Sequence, residues 1–271
     1  LPNDFNDAVI AEFRANSGQV GGFFEGARLL LLTTTGARTG NPHTTPLGYL
    51  PDGDGRVLVI GSAGGSPRHP QWYRNIQANP LATVEDGVFT YEAKATIVDG
   101  PTRDAAFARA VEADPGWADY QEKAAGRVIP VVALEPAVAG PPPFRSLADA
   151  LLQVHGAFRR ELRLIRAEIA RSGSGIGAQL RITCLSLCAG LRNHHVGEDT
   201  MVFPMLAKRY PELADVLDRL GREHEQVAAS VERLKALLEG NGETLLPEFD
   251  RIAAELEAHL SYEEEQLLPL L

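Results

Sequence analysis

Cysteine is scarce, with two residues in a chain of 271. So few exclude a disulfide framework. Cys184 and Cys188 stand four apart in a helical pattern, where side chains share a face but Cβ atoms lie roughly 6 Å apart, too far to be bridged. They read as small buried hydrophobes. Long apolar runs are missing as well. The longest, at 29–32, is of strand length, far short of the roughly 18 residues a membrane-spanning helix needs. There is no basic excess either: the net charge is −10, spread over both halves, which argues against a nucleic-acid partner held through phosphates. The opening LPNDFNDAVI has no basic n-region and no long apolar h-region, so a cytoplasmic location is the expectation.

What is present is a globular composition with room for one large domain or two ordinary ones. PAVAGPPP at 136–143 is the strongest punctuation, because consecutive prolines continue neither a helix nor a central strand. A linker is expected at 137–143. Before it run short β-rich stretches at 29–34, 44–50, 57–62, 81–86, 88–98 and 128–134, with PDGDG and EDG as hairpin turns. Helices fit near 5–16, 70–79, 102–113 and 117–124. Six hairpin-linked strands with helices outside predict a small barrel rather than a doubly wound parallel sheet. After the linker the period becomes helical, with amphipathic segments near 144–172, 178–208, 211–239 and 243–270, broken at SGSG, YP and GNG. Those predict an all-α up-down four-helix bundle over 144–271, and the chain as a whole is multidomain α+β.

Each bundle helix carries an apolar seam in steps of three and four, and every seam is interrupted by ionisable residues. His155 breaks the first. His194 and Glu198 break the second, which continues through Met201 and Met205. His224 breaks the third, and His259 with Glu263 the fourth. Counted from one end of an antiparallel bundle, all six fit a slab of roughly 9 Å at about 1.5 Å per residue. Unpaired in an apolar core, each would cost several kcal/mol; a bound cation offsets that. Imidazole and carboxylate without thiolate suit iron, manganese or zinc, and carboxylates able to bridge favour two ions.

These residues, with Phe203 and Pro204 closing the second motif, resemble a hemerythrin-like HHE cation-binding domain. The resemblance implies two iron ions in a non-haem centre bridged by Glu198 and Glu263, and oxygen or peroxide chemistry. Oxygen-carrying hemerythrins have a further histidine one turn from that of the third helix, where this chain offers Leu220 or Ala228. The difference argues against reversible oxygen carriage. It leaves either an open metal position or one filled by His195, Glu223 or Glu225. His195, off the seam, reads as solvated surface or as a ligand or its support.

In the first half, TTTGARTG and GSAGGSPRHP each lead from a strand into a glycine-rich turn, the second entering a helix at Pro70. Such turns present backbone N–H groups to an anion, and ordinary turns look the same. Together with PLGYL, PQWYRN, ANP, YQ and RVIPVV they resemble the deazaflavin-dependent nitroreductase family over about 4–136. That resemblance implies a split β-barrel binding the deazaflavin F420, with FMN as the alternative. Arg38, Thr39, Ser62, Ala63, Gly64 and Gly65 would hold the cofactor, and Pro70, Trp72 and Tyr73 would shape its pocket. His69 and Arg68 stay open, His69 also as a helix cap. DPGWADY keeps Tyr120 and has Trp117 where the family has tyrosine; Tyr120 and Tyr49 are the candidate substrate contacts.

The expectation is a fused oxidoreductase. Its barrel passes hydride from reduced F420 to a quinone, nitro compound or other electron-poor organic acceptor, and a diiron bundle handles oxygen or peroxide. An iron- or oxygen-sensing binding protein is the alternative of a different class. A homodimer is compatible with either.

Overall fold

The structure is a computed structural model that describes residues 3–137, 146–172, 176–239 and 244–271. Most of the expected linker at 137–143, the start of the first bundle helix, and most of the SGSG and GNG breaks lie outside the described residues. The chain forms two compact units, Leu1–Pro143 with Gly177–Ile182, and Phe144–Ile176 with Thr183–Leu271.

The first unit is a closed six-stranded barrel ordered β1-β2-β3-β6-β5-β4. Its strands are β1 (Leu29–Thr35), β2 (Pro42–Pro51), β3 (Val57–Ile60), β4 (Leu81–Glu85), β5 (Thr90–Val98) and β6 (Val131–Pro136). All pairs are antiparallel, and closure comes from β1 pairing with β4, Leu32 opposite Val84. Around it lie α1 (Asn3–Ala15), α2 (Gln71–Ala78), α3 (Gly100–Ala113) and α4 (Gly116–Lys123).

Strand alternation explains the apolar runs. Leu30, Leu32, Val59, Val84, Ala93, Val132 and Leu134 meet in one cluster to which Trp72, Tyr73 and Ile76 of α2 add. Their neighbours face the other way. Leu29 and Leu31 pack against Val9 and Phe13 of α1, while Leu58, Ile60, Val131 and Ala133 pack with Phe107 and Ala110 of α3. A strand buried on both faces needs apolar residues at every position, hence LLLL and VLVI. The β4–β5 turn is closed by Asp86, whose Oδ1 accepts from Val88 and Phe89 N–H at 2.9 and 2.8 Å, with Gly87 supplying φ 94°.

The second unit contains α5 (Leu147–Ser172), α6 (Ala178–Gly197) from Thr183 onward, α7 (Phe203–Arg209), α8 (Ala214–Glu239) and α9 (Leu245–Leu267). The expected seams on α5, α8 and α9 are buried apart from Phe158, which is half-buried. Cys184 and Cys188 are free and buried. The second seam departs from expectation past Glu198: Met201 and Met205 are 69% and 49% exposed, whereas Phe203 and Leu206 are buried. The cause is a π-helical turn, Glu198–Val202, in which Phe203 N–H bonds the carbonyl of Glu198 five residues back. One extra residue per turn rotates everything beyond it by about 100°. Pro204 accounts for the turn's position. It has no N–H for the α-helical bond to residue 200 and its ring crowds that carbonyl, so a wider turn relieves it.

Asn75 ties α2 to the turn after β1. Fully buried, it donates from Nδ2 to Thr34 Oγ1 at 2.9 Å, and its Oδ1 accepts from Ala37 N–H at 3.0 Å and Gln71 Nε2 at 2.9 Å. Asn75→Ala strands these partners. It is expected to cost the barrel about 2–4 kcal/mol, read as a lower denaturation midpoint by a barrel probe such as Trp72 fluorescence, with the helical transition unmoved.

Candidate metal centre and glycine-rich loops

The six expected ligands do converge, and His195 joins them. His195, His224 and His259 form one group, and His155, His194, Glu198 and Glu263 a second; within each, the candidate ligand atoms lie within 4.8 Å of one another. The carboxylates span both. Glu198 reaches His194 Nε2 through Oε1 at 3.4 Å and His224 Nε2 through Oε2 at 3.5 Å. Glu263 Oε2 lies 3.4 Å from His155 Nε2 and 3.9 Å from His259 Nε2. His195 stacks on His224 with centroids 4.1 Å apart.

Three histidines are backed by carboxylates. Nδ1 of His155 meets Glu264 at 2.8 Å, that of His224 meets Asp199 at 2.8 Å, and that of His259 meets Glu223 at 3.0 Å. Arginines hold two of these in turn, Arg159 on Glu264 at 2.6 Å and Arg219 on Glu223 at 2.7 Å. A carboxylate on Nδ1 keeps the proton there and leaves Nε2 a lone pair facing inward. Glu223, one sequence-level candidate for the missing ligand, thus stands behind His259. Glu225 is exposed.

The inward atoms fit a cation. Nε2 of His195, His224 and His259, Oε2 of Glu198 and both oxygens of Glu263 are buried without a hydrogen-bond partner. Each orphaned group costs about 1–3 kcal/mol, so together they rival the whole stability of a typical domain. Burial lowers His194 to about 3 and His195 to about 2, helped by neighbouring imidazoles, and lowers His259 as well. Burial, with Glu263 alongside, raises Glu198 far above the carboxylate range. Burial also pushes Glu263 up, but its neighbours His155, Glu198 and His194 together outweigh it and the net direction is down. Neutral imidazoles and two carboxylates sharing a dry site match an iron-, manganese- or zinc-type donor set.

The barrel's glycine-rich loop follows β3. Ala63, Gly64 and Gly65 all have positive φ, at 51°, 62° and 79°. Gly65 N–H bonds Ser62 O at 3.0 Å and Ser66 N–H bonds Ala63 O at 3.1 Å, bonds that leave the amides of Ala63 and Gly64 out. A side chain at Gly65 would strike Lys123 Cβ at 2.6 Å, while the space beyond Gly64 is open. Successive left-handed residues with outward amides make an anion-binding concavity. Arg127 fixes the loop, donating to the carbonyls of Gly61, Ser62 and Ser66 at 3.0, 2.7 and 2.9 Å. The motif RVIPVV contains this arginine, yet its role was not legible because its partners lie more than sixty residues away.

The other expected barrel residues fall in three places. Arg38 and Thr39 sit exposed on the β1–β2 turn, Thr39 Oγ1 accepting from Asn41 N–H at 3.3 Å. Pro70 starts α2. Trp72 and Tyr73 pack inside the barrel with Tyr49 beside them. Tyr120 belongs to the cluster around α3 and α4, where its carbonyl borders Gly65; the two tyrosines thus pack in different clusters. His69 lies 4.9 Å from the Tyr73 ring, and Arg68 N–H bonds Ser66 Oγ at 3.2 Å.

Fold and sites together define a barrel with an anion-type loop joined to a metal-binding helical bundle. Residues 7–136 match the family model for F420H(2)-dependent quinone reductases, and residues 146–271 match the hemerythrin HHE cation binding domain. A quinone reductase of this name from Mycobacterium tuberculosis (strain H37Rv) is 45% identical over 83 residues, covering 30% of this chain and 53% of that protein. The chain thus spans about half the length of the first curated relatives it matches. A putative F420H(2)-dependent quinone reductase from the same strain is 32% identical over 117 residues, 42% of this chain and 95% of that protein. The solved structure of an F420-H2 dependent reductase, FDR-A, is 38% identical, covering 40% of this chain and 94% of that one, with TM-score 0.36. The chain belongs to the F420H(2)-dependent quinone reductase family, and its second half is a hemerythrin HHE cation binding domain.

Two substitutions test the centre. Protein grown with iron is expected to carry two ions per chain, and His195→Ala to lose at least one by elemental analysis; full metal content in that variant would return His195 to a packing role. Glu223→Ala, which frees His259 to rotate, is expected to weaken metal binding about 10–100-fold in a chelator competition.

Proposed function

We propose that the barrel transfers hydride from reduced F420 to a quinone, and that the bundle holds a pair of iron ions that deal with oxygen or peroxide. The observation that carries the reading is the left-handed loop at 63–65 in a chain of this family, locked by Arg127. F420, when bound, supplies the hydride. The chain's part is orientation and charge. Amides of Ala63 and Gly64 with the Arg38 guanidinium and Thr39 hydroxyl hold the cofactor's anionic groups. Pro70, Trp72 and Tyr73 wall the ring, and Tyr49 or Tyr120 donates a hydrogen bond to the acceptor's oxygen. Nitro compounds and other electron-poor acceptors are the runners-up as substrate.

In the bundle, two iron ions would be held by the imidazoles together with Glu198 and Glu263, and would supply one-electron redox and Lewis-acid chemistry. The protein's residues exclude bulk water, and the carboxylates on Nδ1 turn Nε2 of His155, His224 and His259 inward. His195 would complete a three-histidine half with His224 and His259.

Oxidation of F420H2 by a quinone, followed by absorbance, tests the barrel. Arg38→Ala is expected to weaken cofactor binding by about 1–3 kcal/mol through a lost charged hydrogen bond. Tight FMN binding without F420 affinity would contradict this reading.

We further propose that 1–136 and 144–271 are independent domains joined by 137–143. Each has its own apolar clusters. Cleavage near Gly140 is expected to give a barrel that binds cofactor and a bundle that binds metal, checked on the separated fragments. Aggregation of both fragments would count against it.

A further inference from the structure

A cavity of about 430 Å³ opens between α6 and α8 on the His195 side of the metal centre. Its floor is the stacked pair His195 and His224, and its walls include Leu191, Val227, Val231 and Ala228, with a mixed-charge remainder of Arg192, Lys235, Asp199, Glu225 and Glu232 elsewhere in the lining. Small organic ligands occupy pockets of about 300–1,000 Å³ lined mainly by apolar groups with a few placed polar atoms. Dioxygen or peroxide alone would leave most of this volume empty.

One polar atom in the floor is placed for a ligand. Nε2 of His195 is buried among the inward-facing atoms, so the edge turned to the cavity carries Nδ1. Where His155, His224 and His259 each have a carboxylate on Nδ1, no carboxylate meets Nδ1 of His195 among the described residues. With Nε2 given to a metal, a neutral imidazole carries its proton on Nδ1. His195 therefore offers an N–H donor to the cavity.

We propose that this cavity is a second quinone site, binding a single-ring quinone with one carbonyl oxygen accepting from His195 Nδ1–H and the ring against the aliphatic walls. A neutral, flat, mostly apolar molecule with an acceptor at its edge matches the aliphatic walls, and the charged side chains of the lining are of both signs, Arg192 and Lys235 against Asp199, Glu225 and Glu232. The choice of quinone rests on the barrel reading above, because the same carrier would then serve both halves of the chain.

The test titrates tetramethyl-1,4-benzoquinone into the full-length, zinc-loaded protein without F420, following heat and the exchangeable imidazole N–H resonance of His195. Saturable binding that moves this resonance is expected. Ala228→Trp and Ala229→Trp, both at exposed positions lining the cavity, are expected to weaken it at least tenfold at unchanged zinc content. An unmoved resonance, or binding indifferent to both tryptophans, overturns the site. F420H2 oxidation by the same quinone is measured in parallel. Lost turnover with tryptophan-sensitive binding removes the barrel reading and leaves the pocket. Normal turnover with no such binding removes the pocket and leaves the barrel.

Discussion

Placing seven ionisable side chains at one level of an apolar bundle is the constraint on which the second half of this protein is organised. In water these groups are cheap; in a core each must find a partner or lose its charge. The chain solves the outer half of the problem itself. Arg159 and Arg219 hold Glu264 and Glu223, which hold His155 and His259, and Asp199 holds His224. Charge is neutralised progressively from the surface inward. The inner half is left undone, with six atoms facing one another and bonded to nothing. A fold that satisfies its outer polar groups so thoroughly and leaves only a concentric inner set unsatisfied is shaped around a cation.

How far this was readable from sequence depends on periodicity. His155, His224, His259 and Glu263 lie on straight α-helices, where steps of three and four carry the face without error, and their convergence followed from counting. His194 and His195 straddle their seam, so period alone could select only one of them. Beyond Glu198 the count fails, because the π turn inserts a residue and sends Met201 and Met205 outward while Phe203 and Leu206 turn in. Pro204 was the local signal for that turn, and the demand for an apolar residue at each core level was the other. Neither is periodic, which explains why an ideal-helix reading passed over both.

In the barrel, the strands were legible because two-faced burial writes itself as uninterrupted Leu and Val, and the turns because only glycine or asparagine-like residues take positive φ cheaply. What holds the loops was not. Asn75 reaches back to Thr34 and Ala37, and Arg127 reaches back to Gly61, Ser62 and Ser66. Both are single polar residues whose partners are distant in sequence and mostly main-chain atoms. Such bonds leave no pattern in the partner's identity, since any residue has a carbonyl. The loop's three left-handed residues could not stand unaided, because two bonds across a 3₁₀ turn do not fix it; the guanidinium supplies the missing rigidity.

The two halves share a principle and differ in where they leave it incomplete. The barrel uses a half-buried cation to gather carbonyls and so leaves amides free; the bundle uses cations nearer the surface to gather carboxylates and so aims imidazoles inward. In both, a charged residue positions polar groups that have no partner among the described residues. Within the bundle the support is uneven. The histidines of α5, α8 and α9 are each braced by a carboxylate, whereas no carboxylate meets Nδ1 of His194 or His195 among the described residues. Those two sit one turn before the π turn, on the helix segment whose hydrogen-bond ladder is already interrupted. Bracing fixes three ligand orientations, and the unbraced pair lies where the backbone departs from its regular register. If this centre changes its ligand geometry, the change begins on α6.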